Sequence, residues 1–195
     1  MKKILIFIIL LLSACAPKNL KQTENANPLN NRFFTSEKII EREVVVGEAT
    51  TTIIDNSKNR VNNINIACRK ISGMKFSPAE TFSFNDKTGK KTKENGYLSA
   101  PILNNGEKSF GIGGGVCQVS STIYMAAKNA GLEIKEHHNH STPVAYAKEG
   151  TDATVVYGIK DLKIKNNTDS TLYIYTWIEN NKVFAKIIKK SIDIQ

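Results

Sequence analysis

A cysteine separated by one residue from three consecutive glycines, in "GIGGGVCQVSS" at residues 111–121, is the feature of this 195-residue chain best suited to covalent chemistry. The apolar positions Val119, Ile123, Ala126, Ala127 and Ala130 recur at helical spacing and Gly131 closes the stretch, which predicts a short helix with Cys117 in its first turn. Unpaired backbone N–H groups and the helix dipole favour negative charge there, so a thiolate is stabilised and the sulfur becomes nucleophilic near neutral pH. Cys117 falls about 200° around the helix from Val119, off the buried stripe and on the side of Ser121 and Tyr124. Gly113, Gly114 and Gly115 let a substrate carbonyl approach the backbone and offer N–H groups to a developing oxyanion. Gln118, Ser121 and Tyr124 are further candidates for contact with substrate. The plainer alternative is a small residue wedged at a glycine turn.

A thiol nucleophile needs a base, and all three histidines fall within "EHHNHS", at 137, 138 and 140. Read as a strand over residues 133–140, this segment projects His138 and His140 from one face and His137 from the other. Asp152, in "GTDATVVYG", could orient an imidazole and complete a Cys/His/Asp set, or simply cap a turn. Cys117, His138 and His140 could instead supply three zinc ligands with one open position. The glycines before the cysteine are not required by that reading. Acyl transfer through a thiol needs neither a metal nor an organic cofactor.

The elements that must position these groups predict an α+β fold. Val61, Ile64, Ala67, Cys68 and Ile71 recur at three and four residues, a second helix that Gly73 stops. "EREVVVGEATTTII" (41–54) is rich in β-branched residues and predicts a strand before Gly47. "SPAETFSFN" (77–85) turns at Pro78 into a strand with Phe82 and Phe84 on one face, and "NDKTGKKTKENGY" follows as a basic loop. After the Cys117 helix, "LEIKEHHNH", "TPVAYA", "ATVVYGI", "LKIKNN" and "TLYIYTW" read as short strands, with Asn180-Asn181 as a hairpin turn into "KVFAKII". The expected architecture is two main helices on a mostly antiparallel sheet, without repeats.

The N-terminus bounds the compartment. "MKKILIFIILLLSAC" joins two lysines to an apolar run from Ile4 to Leu12, a secretory signal too short to span a bilayer as a mature helix. The ending Leu12-Ser13-Ala14-Cys15 resembles a bacterial lipobox, which predicts a lipidated Cys15, an exported membrane-anchored lipoprotein, and acyl chains holding it to the membrane. Three segments are expected: a signal peptide at 1–14, a polar tether at 15–36 and one domain at 37–195. With 27 basic against 18 acidic residues the chain stays basic after processing, which suits anionic wall polymers or headgroups; export makes nucleic acid a poor partner. With Cys15 lipidated, Cys68 and Cys117 remain, and the helical stripe places Cys68 in the core as an unpaired thiol.

Several separate motifs, in order, resemble the VanW family: "NRVNNINIACRKISG", "FSFNDKTGKKTKENGY", "GIGGGVCQVSSTIYMAAKNAGLEI", "HNHSTPVAY", "GTDATVVYG" and "DLKIKNNTD". The likeness runs from about Thr51 to Trp177. It implies a nucleophile at Cys117 and a base at His140, with His138 as second choice. It further implies L,D-transpeptidation of peptidoglycan: Cys117 attacks the carbonyl of the third residue of a stem peptide, D-Ala leaves, and an amine of a neighbouring stem resolves the thioester into a 3-3 cross-link. Positive charge from Lys87 to Lys93 suits an anionic wall. Two departures stand out. Pro78-Ala79 replaces the family's usual Pro-Gly, and the lipid-anchored tether stands where many relatives carry further wall-associated domains. Two other functions fit the same residues: a cysteine amidase or endopeptidase of peptidoglycan, in which water resolves the thioester, and a non-enzymatic wall-binding or glycopeptide-resistance accessory lipoprotein with a structural Cys117.

Overall fold

The computed structural model describes residues 39–104 and 107–194. The signal segment, Cys15 and the tether lie outside the described residues. The chain begins with β1 (Ile39–Thr52), followed by α1 (Lys58–Ile71), β2 (Met74–Phe76), β3 (Thr81–Ser83) and a short α2 (Phe84–Thr88). A hairpin of β4 (Ser99–Asn104) and β5 (Glu107–Ile112) leads into α3 (Val116–Asn129). Then come β6 (Glu133–Glu136), β7 (Lys163–Lys165), β8 (Leu172–Glu179) and β9 (Lys182–Ile194). Every pairing between these strands is antiparallel, so the α+β class with two main helices holds.

The larger sheet has the order β1-β9-β8-β2. Alternation along β8 and β9 turns Leu172, Ile174, Val183, Ala185 and Ile187 inward, where α1 packs on β8 and α3 on β1 and β9. Both predicted helical stripes are the contact faces: Ile64, Ala67, Cys68 and Ile71 from α1, and Val119, Ile123, Ala126 and Ala127 from α3, are all at most 1% exposed. Each side chain of this kind, taken out of water, contributes on the order of 1–3 kcal/mol. At the β8–β9 turn Asn180 and Asn181 both have positive φ, at 47° and 59°, the geometry a two-residue hairpin loop requires. A second sheet, β3-β7-β6, lies along the core through Phe82 and Ile164.

Four expectations need correction. The first strand does not end before Gly47 but continues through it to Thr52, with a register shift between Val45 and Gly47. Glycine is needed there because β1 crosses α3 so closely that a Cβ would lie 2.3 Å from the Ala126 carbonyl oxygen. Phe84 does not extend the strand of Phe82; it opens α2, where Ser83 Oγ accepts the Asp86 N–H and caps the turn. The strand expected over 133–140 stops at Glu136, after a register irregularity between Ile134 and Glu136. Residues 142–147 and 153–156 form no strand apart from one bridge between Val156 and Lys160; at Ala153 the side chains of Ser120 and Ser121 hold the backbone where a ladder would have.

Candidate active site

Cys117 is the second residue of α3. The turn before it is built by glycine: Gly115, at φ 101°, occupies the N-cap, a conformation that L side chains rarely adopt. A side chain at Gly115 would also strike Arg60, whose Nη1 lies 2.5 Å from where a Cβ would stand. Within the turn, the N–H groups of Gly113, Gly114, Val116 and Gln118 donate to the carbonyls of Leu98, Gly111, Gly113 and Gly115. Among the described residues, the N–H groups of Gly115 and Cys117 are the two in this turn left without an acceptor. They are the donors available to an oxyanion beside the sulfur.

The histidine segment reaches the sulfur through Asp152 rather than through strand alternation. One oxygen of Asp152, Oδ2, accepts the backbone N–H of His140 at 2.7 Å and hydrogen-bonds its ring Nδ1 at 2.6 Å. This bond places the proton on Nδ1, leaving Nε2 for the far side of the ring. There the imidazole faces the Cys117 sulfur, and each group shifts the other's proton affinity. Both partners are shielded, with 11% and 7% of the His140 and Asp152 side chains exposed.

The electrostatics follow from that geometry. Burial pushes the Cys117 thiol up, but the hydrogen bond to His140, a backbone hydrogen bond at Val155 and the charges of His140 and Lys91 together bring it down to about 7. Burial lowers His140, and the contacts with Cys117 and Asp152 reverse that, holding it above the usual histidine range. Thiolate and imidazolium stabilise one another, the relation a cysteine nucleophile needs.

Two serines of α3 set the register of the Asp152 segment. Ser121 Oγ donates to the Cys117 carbonyl at 2.7 Å and accepts the Ala153 N–H at 2.8 Å, while Ser120 Oγ donates to the Ala153 carbonyl at 2.6 Å. His137 Nε2 donates to the Asp152 carbonyl at 2.6 Å, and its ring stacks on Tyr124 with centroids 4.0 Å apart. Ser121 and Tyr124 therefore hold the acid rather than line the cavity. Gln118 is fully buried: it accepts from Arg60 Nη2 at 2.7 Å and donates to Thr51 Oγ1 and the Thr52 carbonyl, tying α1 and β1 to the start of α3. His138 turns away to Glu136, at 3.0 Å, so Cys117, His138 and His140 do not converge, and no three His, Cys, Asp or Glu groups among the described residues are placed to hold a metal.

The sulfur opens into a cavity of about 970 Å³. Besides the glycine turn and His140, its wall includes Arg60, Lys91, Tyr146, Thr154 and Val155, and apolar residues of the β4–β5 hairpin such as Ile102 and Leu103. Cys117 Sγ lies 3.7 Å from both Thr154 Oγ1 and the Val155 carbonyl oxygen. Sequence patterns gave no sign of the hairpin residues Ile102 and Leu103: the β4–β5 segment carries Pro101 and Gly111 in its strands, and both weaken a strand signature.

Comparison with known proteins adds to this geometry. The family described as VanW like protein matches residues 59–188, which take in Arg60, the glycine turn, Cys117, His140 and Asp152. The chain is 40% identical over 129 residues to the "Uncharacterized protein YoaR" of Bacillus subtilis, covering 66% of this chain and 43% of that protein. It is 29% identical over 135 residues to the "Vancomycin B-type resistance protein VanW" of Enterococcus faecalis, covering 67% of this chain and 49% of that one. The chain thus spans about half the length of the curated relatives it matches. No solved structure matches it. With a family match covering most of the domain, site included, the chain belongs to the VanW family.

Proposed function

We propose that this protein is a cysteine acyltransferase of peptidoglycan that forms 3-3 cross-links as an L,D-transpeptidase. The observation that carries the reading is the meeting of Cys117, His140 and Asp152 at the glycine turn, on the wall of a cavity large enough for a peptide. The Cys117 thiolate attacks the donor carbonyl, and the N–H groups of Gly115 and Cys117 receive the developing oxyanion. His140 then gives its proton to the departing amine, while Asp152 keeps the ring in the Nδ1–H tautomer. A second amine attacks the thioester, returns a proton to the imidazole and restores the thiol.

The relative named for vancomycin resistance supports a wall substrate, and the basic chain suits an anionic wall. Such a substrate lies outside the cytoplasmic membrane, in keeping with the signal and lipidated Cys15 expected from residues 1–15. Among the described residues no helix is long and apolar enough to cross a membrane.

Incubation of the protein with purified tetrapeptide muropeptides tests the reading by intact mass and product analysis. A thioester on Cys117 with release of one D-Ala, followed by 3-3 dimers, is the expected outcome. Shortened peptides without dimers would assign the acceptor to water and make the protein a hydrolase. Absence of both adduct and product, where a known transpeptidase acts, would leave the non-enzymatic accessory role.

A further inference from the structure

Among the lysines between α2 and β4, Lys91 is unlike its neighbours. Its stem lies against the glycine turn: a Cβ on Gly113 would stand 2.9–3.1 Å from the Cβ, Cγ and Cδ of Lys91. Its ammonium is shielded from solvent without a hydrogen-bond partner, and the residue lines the Cys117 cavity, so a small side-chain rotation would bring the charge to a bound ligand. Lys90 and Lys108 also border that cavity but remain exposed. A shielded ammonium without a partner is costly: burial pulls the Lys91 amine below the usual lysine range, and an anion arriving in the cavity would offset that cost.

The protein's own carboxylates are committed elsewhere. Asp161 is within electrostatic range of Lys91, but it accepts from Ser83 Oγ and from the backbone N–H groups of Asn85 and Leu162. Asp152 is held by His140, and Asp55, the carboxylate on the cavity wall, accepts the Ser57 N–H and lies within electrostatic range of Arg60. Arg60, the other buried cation of the wall, already donates to Gln118. The remaining anion that Lys91 senses is Cys117 itself, the atom that must be free to react. Of the two buried cations on this wall, Lys91 is thus the one whose charged group has no hydrogen-bond partner, whereas Arg60 is held by Gln118.

We propose that Lys91 is the carboxylate-recognition residue for the acyl donor: it binds the free C-terminal carboxylate of the amino acid that leaves when Cys117 attacks the preceding carbonyl. This rests on the acyl-transfer reading above and narrows it to donors that end in a free acid one residue beyond the scissile bond. The Sγ–C bond forms first, and the C–N bond then breaks as the departing amine takes the proton held by His140. The free amino acid leaves with its carboxylate, and a thioester remains on Cys117. A donor whose terminal carboxylate is capped as an amide, or extended by a further residue, places no charge on Lys91 and is a poor substrate.

Two measurements test this on the full chain. In the first, Cys117 is alkylated at fixed pH with iodoacetate or with iodoacetamide, and the ratio of rates is compared with that of free glutathione. The wild type should favour iodoacetate by about fivefold or more relative to glutathione. Lys91→Gln should abolish the preference, Lys91→Arg should restore part of it, and Lys90→Gln and Lys108→Gln should keep it. An equal fall for both reagents in Lys91→Gln would mean that Lys91 only tunes the thiol, and would overturn the proposal. In the second, Cys117→Ala protein is titrated calorimetrically with a stem tetrapeptide and with its C-terminal carboxamide. The acid should bind about tenfold more tightly, and adding Lys91→Gln should equalise the two. Equal binding of acid and amide to the Cys117→Ala protein would overturn the proposal. Selective binding of the acid without any thioester in the wild type would instead overturn the transpeptidase reading and leave the carboxylate site standing.

Discussion

The chain carries two described cysteines on two helices of equal length, and they are chemically opposite. Cys68 lies in the buried stripe of α1, 1% exposed, with burial pushing its thiol up to about 12 and Thr176 offsetting little. Cys117, the second residue of α3, is itself partly buried, yet it is drawn down to about 7. Helix membership and burial alone therefore do not decide reactivity. What separates the two is what arrives from elsewhere in the chain. Apolar side chains and one hydroxyl surround Cys68, whereas Cys117 meets an imidazole fixed by a carboxylate, a backbone group and a buried ammonium.

The sharpest way to break this contrast is to remove the groups that come to Cys117. His140→Ala should lower acyl transfer by about 10³–10⁴-fold, and Asp152→Asn, which accepts the wrong tautomer, by a similar factor. The same variants should return the thiol toward its ordinary range. At pH 7 the thiolate fraction then falls by roughly fiftyfold, which single-residue alkylation rates would register more directly than turnover. If both variants keep wild-type alkylation rates at Cys117, the imidazole does not control the sulfur.

A pH series makes the same comparison without mutation. Because the Cys117 thiol is lowered to about 7, its alkylation should climb between about pH 6 and 8 and flatten above, as the thiolate becomes the dominant form. Cys68, raised to about 12, should stay silent across that range and react only after denaturation. Peptide mass mapping of both sites in one sample reads the two curves together. Coincident curves would remove the distinction drawn between the helices.

Local patterns revealed the two helices, which depend on spacing within a few positions, and residue type picked out Cys117, His140 and Asp152, which the fold brings together. The route by which His140 reaches the sulfur was not legible. Alternation along residues 133–140 put His138 and His140 on one face, but the ladder ends at Glu136, and Asp152 Oδ2 binds both the ring and the backbone of His140. A long-range carboxylate overrode the strand period. Ser121, Tyr124 and Gln118 showed the same limit: helix phase located them near Cys117, but their partners, Ala153, His137 and Arg60, come from other segments. Lys91 was legible only as part of the positive charge from Lys87 to Lys93. In sequence it is one lysine of a basic loop, and its burial is created by the Gly113 turn, far along the chain.

Stability should respond differently from reactivity. Cys68→Ala removes a sulfur from a packed site against Ile64, Ala67 and Ile71 of the same core and should cost about 1 kcal/mol by denaturant unfolding. Cys117 alkylation should not change. A matching change in Cys117 reactivity would show that the α1 core and the α3 site are coupled.

The smallest effect is expected at Ala79, far from either cysteine in function. Residues Ser77 to Glu80 form a tight turn in which the Glu80 N–H donates to the Ser77 carbonyl at 3.0 Å, and Ala79, at its third position, has φ 64°. With Pro78 before it, that is the type II arrangement, which favours glycine at this position. An alanine held there costs roughly 1–2 kcal/mol of backbone strain, while replacing it by glycine gives back about 0.4–1 kcal/mol through the freer unfolded chain. The strain is the larger quantity, so Ala79→Gly should stabilise the domain by about 0.5–1 kcal/mol, a rise in Tm of roughly 1–4 °C. The exposed side chain loses no packing, and the Ala79 N–H bond to the Asn166 carbonyl is retained. Unchanged or lower stability would show that the turn relaxes in solution. A change in Cys117 alkylation would show that the β3 end of the molecule reaches the site, against the separation of stability from reactivity argued from the two cysteines.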